Sequence, residues 1–189
     1  MSLFASLRPQ EYVTSIYHIH LDRLWQAGIR GIVTDLDNTL VEWNSPVAPP
    51  KLVAWLDHVR EQGFRVCIVS NNDQLRVSQF AGPLGIASLS KAHKPRRDAF
   101  LWALRTLSTK AGETCMIGDQ LFTDILGGNR LGFYTILVRP VHVREFPGTR
   151  AVRLLERIVL RKVQLQPAGE YFHYTEAEAA NRHNGEVPG

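Results

Sequence analysis

Short apolar runs, rich in β-branched residues, recur along this chain and alternate with stretches of helical spacing. The runs lie at 29–34, at "FRVCIVS" (64–70), at "IASLS" (86–90), at "ETCMIGD" (113–119) and at "FYTILV" (133–138). Between the first two, residues 50–62 carry Leu52, Val53, Leu56 and Val59 at helical spacing, with Pro near the start and Gly63 at the end. A second helix is expected over 72–82, beginning near Asn72 or Asp73, which are good N-caps. A third is expected over 95–110, with Pro95 at its start and Ala99, Phe100, Ala103, Leu104 and Leu107 on its inner face. A short fourth helix, 123–131, ends at Gly132. Ahead of all these, residues 10–27 read as a strand or turn and a short helix that Gly28 ends. Strands that alternate with helices pair in parallel and place helices on both faces. Strands that are apolar throughout fit a sheet covered on both sides. The expected fold is a three-layer α/β/α, Rossmann-like domain around a mainly parallel sheet of about five strands.

Several of these strands stop in polar groups, and in an open parallel sheet ligands bind beyond the carboxyl ends of the strands. The first strand ends in Asp35-Leu36-Asp37-Asn38-Thr39, the second in Ser70-Asn71-Asn72, and the fourth in Gly118-Asp119 with Asp124 beyond. Lys94 follows the third strand, which is the weakest of the five. Converging carboxylates repel one another and stay ionised where a cation offsets that repulsion. Carboxylate oxygens without histidine or cysteine nearby suit Mg²⁺. A site with Mg²⁺, a lysine and hydroxyl donors suits a phosphoryl group, whose developing charge needs fixed positive groups around it. Asp35 can then attack phosphorus and form an aspartyl-phosphate. Asp37 can protonate the leaving oxygen and later take a proton from water. Any one of these acids could instead belong to a strand-end turn or a helix cap. Three polar strand ends, with Lys94 in a fourth loop, weigh against that blander reading.

The segments "DLDNTL", "SNN", "KP" and "GDQLFTD" resemble, in order, the four motifs of the haloacid dehalogenase-like (HAD) phosphohydrolases. The resemblance covers about residues 29–138. "GIVTDLDNTLVEW" together with "GDQLFTDILGGNRLGFYTILV" is similar to the YqeG-like branch, related to mitochondrial phosphatidylglycerophosphate phosphatases. The resemblance implies that Asp35 is the nucleophile. It implies that Asp37 is the acid/base and that its backbone carbonyl also ligates Mg²⁺. Thr39 supports the first loop, Ser70 and Asn71 hold phosphate, Lys94 balances charge, Asp119 binds Mg²⁺ and Asp124 orders the groups around the metal. Lys91 is a rival for Lys94; "KP" immediately before a helix favours Lys94, because a helix N-terminus also attracts phosphate. Asp37 separates hydrolysis from phospho-signalling, since a receiver domain or ion pump has less need of a base beside its aspartyl-phosphate.

Members of this superfamily that act on small substrates commonly carry a cap domain. Here 30 residues separate Thr39 from Ser70, and 23 separate Ser70 from Lys94, and core elements use them up. No cap is expected, so the site is open to a large or surface-held substrate. The loop "VEWNSPVAPP" is the remaining lip; Trp43 in it touches substrate or packs on the core, with neither favoured.

The formal charge is +4, distributed as +2 over 1–138, +5 over 139–163 and −3 over 164–189. The basic segment contains a helix candidate, 150–162, with Arg150, Arg153, Arg157 and Arg161 along one stripe. It either packs its apolar side on the sheet or makes a peripheral membrane contact with anionic lipid. No interleaved basic and aromatic surface points to nucleic acid. A single domain over 1–163 is expected, followed by a polar, disordered tail over 164–189. Cys67 and Cys115 sit in apolar strands, as buried thiols of a cytoplasmic protein do. The N-terminus lacks the pattern of a secretory signal, and no apolar run approaches the roughly 20 residues that span a bilayer. "HIH" at 18–20 could set two imidazoles on one strand face, a pair more often structural than metal-binding. The sequence therefore predicts an Mg²⁺-dependent phosphomonoesterase, with phosphatidylglycerophosphate as a candidate substrate. The alternatives are a phosphatase of another large or soluble phosphorylated substrate, or a non-catalytic interaction protein on the same fold.

Overall fold

The computed structural model describes residues 6–142; the candidate helix 150–162, its four arginines and the tail 164–189 lie outside the described residues. Six parallel strands form one sheet: β1 (Glu11–Val13), β2 (Gly31–Thr34), β3 (Arg65–Val69), β4 (Ala87–Leu89), β5 (Thr114–Gly118) and β6 (Tyr134–Val138). Their order across the sheet is β1-β6-β5-β2-β3-β4. The chain therefore builds outward from β2 through β3 to β4, crosses back to β5, and builds the other way. β2 lies between the two halves, at the point where the order reverses, and there the ends of neighbouring strands open a crevice. In register, Thr34 pairs with Ile68 of β3 and with Ile117 of β5. The residue after Thr34 is Asp35, so the first carboxylate stands between the ends of β3 and β5.

Five α-helices connect the strands: α1 (Leu21–Gln26), α2 (Pro50–Glu61), α3 (Gln74–Ala81), α4 (Arg97–Leu107) and α5 (Leu126–Leu131). One face of the sheet, with Ile32, Ile68 and Ile117, packs on Leu24 of α1, Leu52, Trp55 and Leu56 of α2, and Val77 and Phe80 of α3. The other face, with Val33, Cys67, Val69 and Met116, packs on Ala99, Phe100 and Ala103 of α4. The three layers agree with the expected architecture, and among the described residues no cap interrupts it. The segment 39–70 holds a loop, α2 and β3, and 70–94 holds α3 and β4.

The structure departs from the sequence expectation in four places. The sheet has a sixth strand, because β1 joins the edge beside β6, where Gln10 accepts the Thr135 N–H at 2.7 Å and Tyr134 donates to Glu11 at 2.7 Å. The helix expected over 95–110 starts at Arg97, and Pro95 lies ahead of it, behind a cis Lys94–Pro95 peptide. Residues Leu121–Ile125 form a π-helical turn before α5 instead of a helix from 123. The two histidines of "HIH" are not on a strand. His18 ends a 3-10 turn, where it bonds Thr14, and His20 sits at the N-cap of α1. Cys67 and Cys115 are free and buried, and burial pushes the Cys67 thiol up to about 12.

Phe100 is fully buried and meets Phe133 edge to face, with ring centroids 5.9 Å apart. Phe100→Ala should destabilise the domain by about 3–5 kcal/mol, as large-to-small changes in a packed core do. Urea unfolding followed by circular dichroism measures it. A loss within error of zero would mean that α4 is not held to the sheet by this contact.

Candidate active site

The crevice at the end of β2 collects charge that the core otherwise excludes. Asp35, Asp119 and Asp124 are all buried, and each offers a carboxylate oxygen within 4.8 Å of the others. Asp35 continues the β2 ladder, its N–H donating to the Ile117 carbonyl at 2.9 Å. Asp119 follows β5 directly, and Thr39 donates its hydroxyl to Asp119 Oδ1 at 3.2 Å. Asp124 reaches back from the π-helical turn and accepts the Gln120 N–H at 3.1 Å. That approach depends on Gly118: a Cβ there would lie 2.3 Å from Asp124 Oδ2 and Cγ. Glycine ends this strand because the Asp124 carboxylate takes the space a side chain would need.

Lys94 is buried among these acids. Its Nζ lies 2.8 Å from Asp35 Oδ1 and 2.7 Å from Asp124 Oδ1. Lys91, by contrast, is exposed, with its backbone N–H bonded to the Asn72 carbonyl. Lys94 enters through the loop after β4, three residues before α4 begins, so a helix end does not explain its position. Asn71 fixes that loop. Its Oδ1 accepts the Lys94 N–H at 2.7 Å and its Nδ2 donates to the Lys94 carbonyl at 3.4 Å. Ser70 is buried beside it, its Oγ accepting the Asn72 N–H at 3.1 Å.

Burial pushes the Asp35 carboxyl up to about 6, against the pull of Lys94 and with Asp124 adding to the rise. Burial also pulls the Lys94 ammonium down, but Asp124 and Asp35 outweigh it and hold it above the ordinary lysine range. One ammonium among three carboxylates leaves net negative charge in a buried place. A cluster of hard oxygen donors with that surplus fits a divalent cation such as Mg²⁺. Asp124 contributes an oxygen to the same group as Asp35 and Asp119, and its other partner there is Lys94.

Asp37 stands apart from this cluster. The turn that carries it is set by Asn38, in the left-handed region at φ 63°, where asparagine is tolerated better than most residues. Arg76 of α3 donates to Asp37 Oδ1 from NH2 at 2.9 Å and from Nε at 3.3 Å. The Asn44 N–H reaches Oδ1 at 3.0 Å, and Asn72 Nδ2 donates to Oδ2 at 2.9 Å. Sequence reasoning missed Arg76 and the side chain of Asn72. Arg76 did carry a signal. It sits in the first turn of α3, where a positive charge runs against the helix dipole and so points to a partner elsewhere. Trp43, in the loop that supplies the Asn44 N–H, is partly exposed.

Comparison with known proteins agrees with this geometry. Residues 91–140 match the "HAD-hyrolase-like" family model. The Bacillus subtilis (strain 168) protein named "Probable phosphatase YqeG" is 48% identical over 152 residues, which is 80% of this chain and 88% of that protein. "Phosphatidylglycerophosphate phosphatase 1, chloroplastic/mitochondrial" of Arabidopsis thaliana is 29% identical over 164 residues, 82% of this chain. The match spans only 47% of the length of that Arabidopsis protein. A crystal structure of an uncharacterized protein from Listeria monocytogenes serotype 4b shares the fold, with TM-score 0.51 and 19% identity over 68% of this chain and 99% of that one. Fold and acidic crevice are those of a HAD-type phosphatase. Within that class the chain belongs to the YqeG-like family.

The charge balance makes two predictions. Lys94→Met should destabilise the metal-free protein by about 3–5 kcal/mol, the usual cost of removing one partner from a buried ion pair. Urea unfolding in EDTA tests it, and a variant as stable as wild type would mean that the acids tolerate one another without Lys94. The second concerns pH. The folded value of Asp35, about 6, lies above its ordinary 3.8. Its contribution to stability is thus fully present below about pH 4 and is lost as pH rises through about 6. A cation needs the ionised form, so the Mg²⁺-induced rise in melting temperature should be larger at about pH 7.5 than at about pH 5. An equal rise at both would place the bound ion away from Asp35.

Proposed function

We propose that this phosphatase hydrolyses a phosphomonoester through an aspartyl-phosphate on Asp35, with Mg²⁺ as cofactor. The carrying observation is the buried group of Asp35, Asp119 and Asp124 with Lys94. An Mg²⁺ held by Asp35, Asp119 and the Asp37 backbone carbonyl, with Asp124 alongside, would supply positive charge against the phosphoryl oxygens. An Asp35 oxygen attacks phosphorus and the bond to the leaving oxygen breaks. Asp37 gives that oxygen its proton. Water then attacks the phosphorus and yields a proton to Asp37, which releases phosphate and restores Asp35. Lys94 holds Asp35 in place and offsets charge on the transferred group. The Ser70 hydroxyl, which accepts one bond and keeps its hydrogen free to donate, holds a phosphate oxygen together with the Asn71 backbone. Thr39 acts one step away, through Asp119.

The substrate we propose is a lipid phosphate of the phosphatidylglycerophosphate kind. Relatives with that name support it, as does a site without a cap. The exposed apolar side chains add support. Among the described residues the exposed large apolar side chains are Trp43, Val47, Leu75 and Val141. Each lies near the Asp37–Asn38 turn along the chain or through one hydrogen bond. Trp43 and Val47 flank Asn44, Leu75 precedes Arg76, and the Val141 N–H donates to the Asn38 carbonyl at 3.0 Å. Exposed apolar side chains on the segments that bond this charged turn would suit a lipid surface presenting a phosphate. No helix among the described residues is long and apolar enough to cross a membrane. The enzyme would then work as a peripheral protein from the cytoplasm, drawn to anionic lipid by Arg150, Arg153, Arg157 and Arg161 beyond the described residues. A soluble phosphate ester is the second reading, favoured by the same openness of the site.

A phosphate-release screen with Mg²⁺, covering lipid phosphates, sugar phosphates, nucleotides and phosphoproteins, tests the substrate class. Vesicle-borne phosphatidylglycerophosphate should be the best of them. Asp35→Asn should reduce turnover to background while melting like wild type, because an amide keeps the shape but cannot attack phosphorus. Retained turnover, in protein free of deamidated product, would remove Asp35 as nucleophile. Changing the four arginines to Gln should weaken vesicle binding and lipid hydrolysis while sparing a small soluble ester. Vesicle co-sedimentation beside both assays reads this, and unchanged lipid hydrolysis would make the arginines a solvated face.

A further inference from the structure

The proton-transferring role of Asp37 rests on the reading above, and it leaves Arg76 unexplained. Arg76 is poorly placed for helix stability, in the first turn of α3, yet its side chain is largely withdrawn from solvent. Its guanidinium lies 5.3 Å from the Phe80 ring centroid, and its two donors converge on one oxygen, Asp37 Oδ1. The Asn44 N–H reaches the same atom. Oδ2 accepts from the Asn72 side chain, which is itself oriented, its Oδ1 accepting the Asp73 N–H at 2.8 Å. The carboxylate is thus held at both ends. Oδ1 is crowded with three donors, while Oδ2 keeps lone-pair capacity.

We infer that Arg76 is a positioning residue for proton transfer: it clamps Asp37 through Oδ1, so that Oδ2 carries the proton to the leaving oxygen. When the bond from phosphorus to the leaving oxygen breaks, the proton passes from Oδ2 to that oxygen. The negative charge then left on Asp37 meets a guanidinium already in place, without reorganisation. In the second half of the reaction Oδ2 takes a proton from the attacking water, and the same clamp holds it there. Lys94 balances the carboxylate that attacks phosphorus, and Arg76 balances the carboxylate that moves the proton. The two cations arrive from different elements and do not share an acid among their ion pairs.

The readout is dependence on the leaving group. An activated aryl ester expels an oxygen that needs little protonation, whereas an alkyl-like ester needs the acid. The value of kcat/KM reports the steps up to departure of that group, and it is compared for 4-nitrophenyl phosphate, phenyl phosphate and benzyl phosphate. Asp37→Asn should lose about 10²-fold or more on benzyl phosphate relative to 4-nitrophenyl phosphate, and Arg76→Gln at least about 10-fold, with KM little changed. Arg76→Lys keeps the charge without the two converging donors and should fall between Arg76→Gln and wild type. Should Arg76→Gln lose equally on all three esters, with a lower melting temperature, Arg76 is structural and the inference is wrong. A rise in KM on every ester at unchanged kcat would make it a phosphate ligand and overturn the inference too. If Asp37→Asn itself shows no leaving-group dependence, the acid role of Asp37 fails and the inference falls with it. If only Arg76→Gln shows none, the acid role stands and the clamp does not.

Discussion

The buried contact of Lys94 with Asp35 and Asp124 is what the rest of the site depends on. Three carboxylates within 4.8 Å, each withdrawn from water, would not remain charged and folded together without a cation. The protein supplies one through a loop that comes from the far side of the strand-order reversal. Backbone bonds from Lys91 and Ala92 tie that loop to the end of β3, and Asn71 holds it by both atoms of its amide. The neutral and acidic residues of the strand ends are therefore not separable from the lysine. Gly118 belongs to the same arrangement, because Asp124 reaches Lys94 only over a residue with no side chain.

Topology explains why these groups meet at all. Asp35 and Asp124 are distant in sequence, but β2 lies between β3 and β5, and each of these strands ends at the same edge. The strands that flank the site carry no acidic residue and are apolar but for threonines and Arg65 at the start of β3. Asp35 and Asp119 stand directly after β2 and β5, where the backbone leaves the ladder, and Asp124 returns to them from the π-helical turn. Packing of Ile32, Ile68 and Ile117 on one side, and of Val33, Cys67 and Met116 on the other, keeps those ends in register. Stability and site geometry thus share one cause.

Much of this was legible in the sequence. Continuous apolar runs locate β2, β3, β5 and β6 to within about two residues, since a strand buried on both faces has no other composition open to it. β4 reads weakly because it is an edge strand with its residues partly exposed. β1 is ambiguous for a stronger reason: three residues, "EYV", become a strand only through pairing with β6, more than a hundred residues later. Pro95 suggested a helix start that lies at Arg97, because proline suits a loop before a helix as well as a first turn. The acids and Lys94 could be named because strand ends in a parallel sheet are functional positions by construction. Arg76 could not be assigned a partner, since helical periodicity reports which face is buried and says nothing of where a long charged side chain ends.

The pair Asp35 and Asp37 shows what those missing contacts change. Two residues apart, they look equivalent in sequence, and a short spacing alone would suggest that they share one charge environment. The turn at Asn38 separates them. Asp35 faces an ammonium and two further acids; its burial raises the cost of its charge, Lys94 offsets part of that, and the surplus of acids suits a cation. Asp37 faces a guanidinium, an amide and a backbone N–H, and no second carboxylate is among its hydrogen-bond and ion-pair partners. The proposed reaction, in which one carboxylate attacks and another moves protons, would draw on this division. If both drew on the same cation, charge forming on one would weaken the hold on the other at the moment of bond breaking. In the proposed mechanism, separate counterions would let phosphoryl transfer and proton transfer proceed side by side, and the second counterion comes from α3, an element that the acidic strand ends do not disclose.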